Sequence, residues 1–271
     1  MTDPIHVISL GAGVQSSTMA LMAAKGEITP MPVAAVFADT HAEPPAVYSW
    51  LNWLEDQIPF PVYRVSAGAL RDGFAVLKTR RSDASTYLKL SIPAFVADAT
   101  GRGCPLVRIC TADYKLAPIR SRIKALRVVH GATSVVQWIG ISRDEAHRMK
   151  DSPDAAVQNR WPLIEARMTR THCLEWMRDR HYPKPPRSAC VFCPYHSDAE
   201  WRRLKTEEPA SFAEAVEDER RIQLMHAGAT RPSSSRPYLH RSLKPLSEVD
   251  FTEDTSQHSM FGNECEGMCG V

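Results

Sequence analysis

The sequence predicts an α/β protein: a parallel sheet flanked by helices, with a helical, cysteine-bearing C-terminal part. Three observations predict it. Short apolar runs alternate with helix-like stretches through the first half of the chain. The first such run ends in a small-residue loop, "SLGAGVQSS" (9–17), which opens directly into a helical pattern. Beyond residue 165 the character changes to helical, proline-rich and cysteine-bearing segments. The division read from this is an α/β domain over 1–165 and a helical, cysteine-rich region over 166–271, with a tail from 227.

Each element has a local reason. "IHVISL" (5–10) is a short apolar run ending at a glycine loop, which reads as a buried strand. "SSTMALMAAK" (16–25) reads as a helix stopped by Gly26. "VAAVFAD" (33–39) and "FPVYRV" (60–65) are further strands, separated by "PPAVYSWLNWLEDQ" (44–57), a helix opened by prolines. "SVVQWIGI" (134–141) is a fourth strand. Residues 79–104 read as a surface excursion punctuated by "TRRSD" and "TGRG". Downstream, 169–182 is helical, 182–194 loop-like, and 197–209 a helix capped by Ser197; 211–225 is another helix. "GATRPSSSRP" (228–237) has linker composition.

The chain has 271 residues and a net charge of +2, so it is no polycation. Its basic residues are nevertheless bunched. Arg102, Arg108, Lys115, Arg120, Arg122, Lys124 and Arg127 face the single acid Asp113 between residues 102 and 127. That stripe suits phosphate or a nucleic-acid backbone, the alternative being a solvated helix face. No apolar run reaches the length of a membrane span and the N-terminus has no secretory pattern, so the expected place is the cytoplasm, away from any membrane. In a reducing compartment the seven cysteines read as metal ligands or redox groups rather than disulfides.

A strand, a small-residue loop and a helix start make an anion site, because backbone N–H groups and the helix dipole point at the same place. Gly11 and Gly13 allow close approach, and Ser9, Ser16 and Ser17 offer hydroxyls. The loop lacks the lysine of a P-loop, and Ser16 stands where a dinucleotide fingerprint has its last glycine. A plain strand-to-helix turn is the alternative. Asp39 and Thr40 end the second strand, at the sheet edge where open α/β folds bind ligands. "SRDEAHR" (142–148) sets Arg143 beside Asp144 and Glu145, a phosphate ligand next to two carboxylates able to organise Mg²⁺. Its plain alternative is a helix start with Ser142 as cap.

Cys190 and Cys193 form a C-x-x-C pair, half of a four-ligand metal site. Cys173 sits in a helical run and reads as a small buried apolar residue.

The chain resembles the superfamily of PP-loop ATP pyrophosphatases and phosphoadenosine-phosphosulfate (PAPS) reductases. Gly11-Ala12-Gly13-Val14-Gln15-Ser16 fills the frame of its S-G-G-x-D-S loop, with Gln15 in place of Asp and Gly11 in place of Ser. "DTHAEPPAVYSWL" (39–51), "CTADYKLAPI" (110–119) and "GISRDEAHRM" (140–149) resemble three further family segments, in family order, with His41 replacing a glycine. The resemblance runs from residue 5 to about 205. It implies that the first domain binds ATP or an adenylylated nucleotide, with the phosphates on Ser9, Gly11, Ala12, Gly13, Gln15, Ser16 and Ser17 and with Asp39 near the nucleotide. Lys115, Arg143 and Arg148 become charge partners for phosphate, and Mg²⁺ joins Asp144 and Glu145. Cys110 with Cys190 and Cys193 resembles the ligand pattern of iron–sulfur adenylyl-sulfate reductases, which implies a [4Fe–4S] cluster. The fourth ligand is Cys269, Cys265, Cys104 or none; zinc and unligated thiols are the alternatives. The tail "NECEGMCGV" partly matches the Glu-Cys-Gly end of sulfonucleotide reductases, making Cys265 a sulfur-attacking thiol.

Three functions follow from the resemblance. In the leading one, an ATP pyrophosphatase adenylylates a substrate, nucleic acid and DNA above all, for cluster-assisted sulfur insertion, as in DNA phosphorothioation. Its partners would be a cysteine desulfurase or other sulfur donor and further modification-complex subunits. The second is a PAPS or adenylyl-sulfate reductase that releases sulfite. The third is a nucleotide-binding subunit without catalysis.

Overall fold

The computed structural model describes residues 3–233 and 235–251. In chain order the elements begin β1 (Ile5–Leu10), α1 (Val14–Ala24), β2 (Ala34–Ala38), α2 (Pro45–Gln57) and β3 (Val62–Val65). They continue with α3 (Leu70–Gly73) and four short strands, β4 (Ala75–Thr79), β5 (Thr86–Leu90), β6 (Phe95–Ala97) and β7 (Gly103–Pro105). A wide π-type turn, Thr111–Leu116, leads into α4 (Ala117–Val129), β8 (Val135–Ile139), a 3₁₀ segment Arg143–Arg148, β9 (Val157–Arg160) and α5 (Pro162–Glu165). Three helices complete the main elements: α6 (Arg170–Asp179), α7 (Asp198–Glu207) and α8 (Pro209–Ala227).

These elements form two compact units, neither continuous in sequence. The first comprises residues 3–67 and Thr111–Ala189; the second comprises Gly68–Cys110 and the described residues from Cys190 onward. The first unit holds the expected parallel sheet, in the order β3-β2-β1-β8-β9. Every neighbouring pair in it is parallel. Side chains alternate between the faces, as strand geometry requires. Ile8, Leu10, Ala35, Phe37 and Trp138 join one core cluster with α1, α2 and α6. Ile5, Val7, Val36 and Val135 join another with Ile119, Ile123 and Leu126 of α4. Among the described residues no helix is long and apolar enough to cross a membrane.

Local signals act where the sequence places them. Lys25 caps α1, and Gly26 follows at φ +73° with its N–H on the Ala23 carbonyl at 2.9 Å, the left-handed stop that glycine adopts without a Cβ clash. Ser197 accepts the Glu200 N–H at the start of α7. Thr169 and His172 close a capping box on α6.

Two expectations change. Residues 79–104 are not a bare excursion: β4 pairs with β5, and β6 with β7, both antiparallel. The polar clusters "TRRSD" and "TGRG" are the hairpin turns themselves, and the flanking residues are too short and too mixed to show a period on their own. β9, "VQNR", was not anticipated; only Val157 in it is apolar, and its pairing with β8 supplies the order that its composition does not.

In the second unit, α8 carries two buried acids. Arg71 pairs with Asp218 and Glu214, each at 2.9 Å. Glu219 accepts the Leu239 and Leu246 N–H groups, at 2.7 and 2.5 Å, while burial pushes its pKa up. Phe74 and Phe192 pack at 5.3 Å between ring centres.

One glycine fixes the centre of the first unit. A Cβ on Gly140, just after β8, would lie 2.8 Å from Ser16 Cα and 2.9 Å from Ser16 N. Backbone cannot yield as a flexible side chain does. Gly140→Ala is therefore expected to lower the unfolding free energy by about 1–3 kcal/mol, read from urea denaturation.

Candidate functional site

In the first unit the strand order reverses between β1 and β8. From β1 the chain winds outward through β2 to β3, then returns to place β8 on the other side of β1. Ligands in open α/β sheets bind at such a reversal, beyond the strand C-termini, because the two loops there diverge. Here those loops are 10–14 after β1 and 140–148 after β8.

The first loop is closed on itself. Ser16 Oγ accepts the Gly11 N–H at 3.1 Å and donates to the Gly13 carbonyl at 3.4 Å. The left-handed residue is not a glycine but Ala12, at φ +57°. No side chain caps the first turn of α1. Its leading amides therefore keep the anion-binding role that helix starts have. Ser9 and Ser17 are fully buried, and the Ser17 hydroxyl accepts the Trp50 indole N–H at 3.0 Å. An anion on this loop would sit out of bulk water, where dipoles act with little screening.

Gln15, only 2% exposed, organises the second loop. Its amide nitrogen donates to Glu145 Oε2 at 3.1 Å and to Ser142 Oγ at 3.3 Å, and its oxygen accepts from Arg170 Nη1 at 2.9 Å. Glu145 is ion-paired with Arg148 at 2.7 Å. Asp144 accepts the Ser142 hydroxyl at 2.6 Å and the Arg170 N–H at 3.2 Å, at the start of α6. Both carboxylates expected on Mg²⁺ thus hold protein partners. Arg143 is exposed, its N–H on the Met168 carbonyl at 2.8 Å. Burial lowers the Arg170 pKa, Glu145 and Asp144 raise it, and the neighbouring Arg187 lowers it again. A guanidinium remains charged at neutral pH, so two positive charges act on each other here.

A second cluster lies at the end of β2. Asp39 Oδ1 accepts the His41 N–H at 2.7 Å and the Tyr48 hydroxyl at 2.8 Å. His41 adopts φ +54°, a left-handed conformation that glycine takes most readily. Burial, then Asp39, pushes the Tyr48 pKa above the phenol range. Lys115, on the π-type turn, is buried and paired with buried Glu43 at 3.5 Å; Ser188 donates to the other Glu43 oxygen at 3.2 Å. The turn widens where it meets α4, because Pro118 has no N–H to offer the carbonyl four residues back. The two clusters adjoin: Arg187 acts on Arg170, and the next residue, Ser188, holds Glu43. Sequence reasoning missed Glu43, Arg170, Arg187 and Ser188. Glu43 follows the β2 edge closely enough for the edge rule to have reached it. Arg170 lies 155 residues from Gln15 and carries no local signal.

The C-x-x-C residues belong to the second unit. Cys190 and Cys193 are buried in a tight turn, with the Cys193 N–H on the Cys190 carbonyl at 2.9 Å and the His196 N–H on the Cys193 carbonyl at 3.1 Å. The Cys110 N–H bonds the Ser91 carbonyl at 2.7 Å, and Cys104 is exposed. Among the described residues no three His, Cys, Asp or Glu side chains gather to hold a metal ion; Cys265 and Cys269 lie outside those residues. A C-x-x-C turn alone is half of a cluster's ligand set. Cys173, in the first unit, is fully buried, and burial pushes its thiol up to about 12.

No protein-family model matches the sequence, and no curated protein matches it. Among solved structures the chain is similar to a crystal structure of phosphoadenylyl-sulfate (PAPS) reductase from Candida auris in complex with phosphate. The identity is 11%, the TM-score 0.43, and the match covers 68% of this chain and 76% of the other. A likeness that remote assigns neither substrate nor reaction.

Two outcomes test this electrostatic picture. Glu43→Ala removes a carboxylate partner from buried Lys115 and should lower stability by about 1–3 kcal/mol, measured by denaturant unfolding. The raised Cys173 pKa means that the folded state keeps a proton that the unfolded chain releases above the ordinary thiol value of 9.0. That stabilisation is complete below pH 9.0 and is lost as pH rises toward about 12. Between pH 8 and pH 10, on the order of one unit either side of the thiol value, Cys173→Ala should show a shallower fall in thermal midpoint than the wild type.

Proposed function

We propose that the mouth between β1 and β8 binds the phosphate end of an adenylylated nucleotide, and that the protein is an enzyme acting on a sulfonucleotide such as PAPS or adenylyl sulfate. One observation carries the reading: the Arg170 guanidinium is held on Gln15 of the first turn of α1, at 2.9 Å and at the reversal of strand order, with the positive charge of Arg187 acting on it. An anion there would relieve their repulsion and meet backbone N–H groups at once. The segment resemblances at 39–51, 110–119 and 140–149 support the same class of ligand. Gln15 fits a site that binds phosphate by cations: it is neutral, and it bonds Glu145 and Arg170 at once.

The chemistry asked of this chain is modest. Lys115 and the arginines would neutralise the departing phosphate, and the buried loop would exclude water from it. Cys265 is the proposed nucleophile. Its thiolate would attack the sulfur, break the S–O bond and release AMP or its 3′-phosphorylated form, leaving an S-sulfocysteine. A dithiol would then cleave that adduct, becoming a disulfide as sulfite departs. Cys110, Cys190, Cys193 and Cys269 would be the residues to hold a [4Fe–4S] cluster, which when bound would supply further positive charge for the substrate.

A second reading, ATP-dependent activation of a nucleic acid for sulfur insertion, is favoured by the cations of α4. It would make AMP and pyrophosphate from Mg²⁺-ATP in the presence of DNA, with a cysteine desulfurase or other donor supplying sulfur.

The deciding experiment incubates anaerobically purified full-length protein with PAPS or adenylyl sulfate plus dithiol, and separately with Mg²⁺-ATP plus DNA. Sulfite from the first mixture, absent with Cys265→Ser, is expected. Pyrophosphate from the second with no sulfite from the first would replace the reductase reading by the other. Gly13→Val should weaken nucleotide binding by at least about tenfold; unaltered binding would remove the loop from the site.

A further inference from the structure

In the second unit, residues 239–246 form a loop fixed at both ends by one carboxylate. Glu219 of α8 accepts the Leu239 N–H at 2.7 Å and the Leu246 N–H at 2.5 Å. β7 comes up against the same loop: a Cβ on Gly103 would lie 2.3 Å from the Arg241 carbonyl oxygen, so the approach needs a bare glycine backbone. Inside the loop the Leu243 N–H bonds the His240 carbonyl at 3.1 Å, and Leu243 adopts φ +57°. A leucine stays in the left-handed region only where its surroundings over-determine the backbone.

Within this loop His240 bridges two partners. Its Nδ1 lies 2.7 Å from Ser242 Oγ, and its Nε2 lies 3.2 Å from Oδ1 of Asp198, the first residue of α7. A third contact fixes the tautomer: the Ser242 backbone N–H donates to Nδ1 at 3.2 Å. A peptide N–H can only donate, so Nδ1 carries the lone pair and Nε2 the hydrogen. Nε2–H therefore donates to Asp198, and the Ser242 hydroxyl donates to Nδ1. Arg241 steadies Asp198 in turn, its Nη2 meeting both carboxylate oxygens at 3.0 Å. Burial lowers the His240 pKa, Asp198 raises it and Arg241 lowers it; the outcome lies below the ordinary value of 6.5, so the ring is a neutral base at neutral pH.

Exposure divides these groups by role. His240 is 5% exposed, with the Phe251 ring edge-on to it at 5.7 Å between ring centres, whereas Ser242 is exposed. A buried base, backed by a half-buried acid, thus stands behind a hydroxyl open to solvent. Capping of the turn by His240 accounts for the Ser242 N–H on Nδ1. It accounts neither for the carboxylate on Nε2 nor for the hydroxyl on the same lone pair.

We infer that Ser242 is an activated nucleophile that takes the acyl group of a carboxylic ester, with His240 as its general base and Asp198 as the positioning residue behind it. The Ser242 oxygen would add to the carbonyl carbon while its proton passes to His240 Nδ1. Asp198 would hold the imidazolium so formed. Taking the proton costs Nδ1 its longer bond, to the Ser242 N–H, and leaves that N–H for the charge developing on the carbonyl oxygen. The adduct then collapses. Its bond to the ester's alkoxy oxygen breaks, the alcohol leaves with the proton from Nδ1, and Ser242 keeps the acyl group. Water, by the same steps, would release the acid and restore the hydroxyl. This chemistry uses none of the residues assigned to the mouth and stands apart from that reading.

The test treats the full-length protein with an alkyl fluorophosphonate, whose phosphorus takes the serine oxygen as fluoride leaves, and locates the adduct by peptide mass spectrometry. One adduct is expected, on Ser242, and none with Ser242→Ala, which removes an exposed hydroxyl and should fold normally. Release of p-nitrophenol from p-nitrophenyl acetate should fall by at least about tenfold in the same variant. The labelling rate of the wild type should rise with pH and level off by about pH 7.5, where His240 is neutral. An unassisted hydroxyl would instead follow hydroxide upward. Asp198→Asn should slow labelling by at least about tenfold and move the midpoint to lower pH, a shift that a purely structural role would not give. Should that variant fail to fold, by circular dichroism, the wild-type pH profile decides alone. No adduct on Ser242, ester cleavage unchanged in Ser242→Ala, a rate still rising at about pH 9, or an unmoved midpoint in folded Asp198→Asn would each overturn the inference.

Discussion

The pairing of β1 with β8 is the constraint on which the first unit depends. It places two strands distant in sequence at the middle of the sheet. It reverses the winding there, and it brings the loop after β8 against the first turn of α1 so closely that only glycine fits at position 140. Everything assigned to the mouth follows from that contact. Gln15 can reach Ser142 and Glu145 because the two loops share a wall. Arg170 reaches Gln15 because α6 begins where the Ser142 loop ends, with Asp144 holding its first N–H.

The charges of the mouth are mutually adjusted rather than simply accumulated. Glu43 balances Lys115, Glu145 balances Arg148, and Asp144 supports the start of α6. A buried ion pair is costly to desolvate and is tolerated only when its remaining oxygens are bonded, as Ser188 does for Glu43. Within that balance the charge of Arg187 acts against that of Arg170. The neutral carboxamide at position 15 bonds Arg170 and Glu145 at once. An acidic side chain would have satisfied Arg170 itself, and it would have repelled Glu145.

Much of this was legible in the residues. The fold class, β1, the stop at Gly26 and the cap at Ser197 are local features with local causes, and the structure has each where the pattern places it. The loop at 9–17 was legible as well, but not its internal economy. Ser16 closes it and Ser17 supports Trp50, so two of its three hydroxyls serve the loop and the core. The carboxylates of "SRDEAHR" show the limit most clearly. In sequence, Asp144 and Glu145 are two acids beside an arginine, free for a metal. In space Ser142 and Arg148 of the same stretch and Gln15 and Arg170 from two distant ones hold them, and no window of sequence contains the distant pair. Arg170 and Arg187 were invisible for the same reason. The hairpins at 75–105 were missed on length: a four- or five-residue strand has too few turns of its period to be told from a loop.

Both units are assembled from separated stretches of chain, and this has a consequence for how the protein is made. When β3 leaves the ribosome, β1 still has one side unpaired, because its other neighbour, β8, begins about seventy residues further on. The intervening residues 68–110 belong to the second unit, which in turn waits for Cys190 and beyond. The first unit cannot close until residues 68–110 of the second have been read out, and the second waits for residues made after Ala189 of the first. Synthesis therefore passes through a long interval in which an apolar central strand has an open edge, the state in which chains pair wrongly or call for a chaperone.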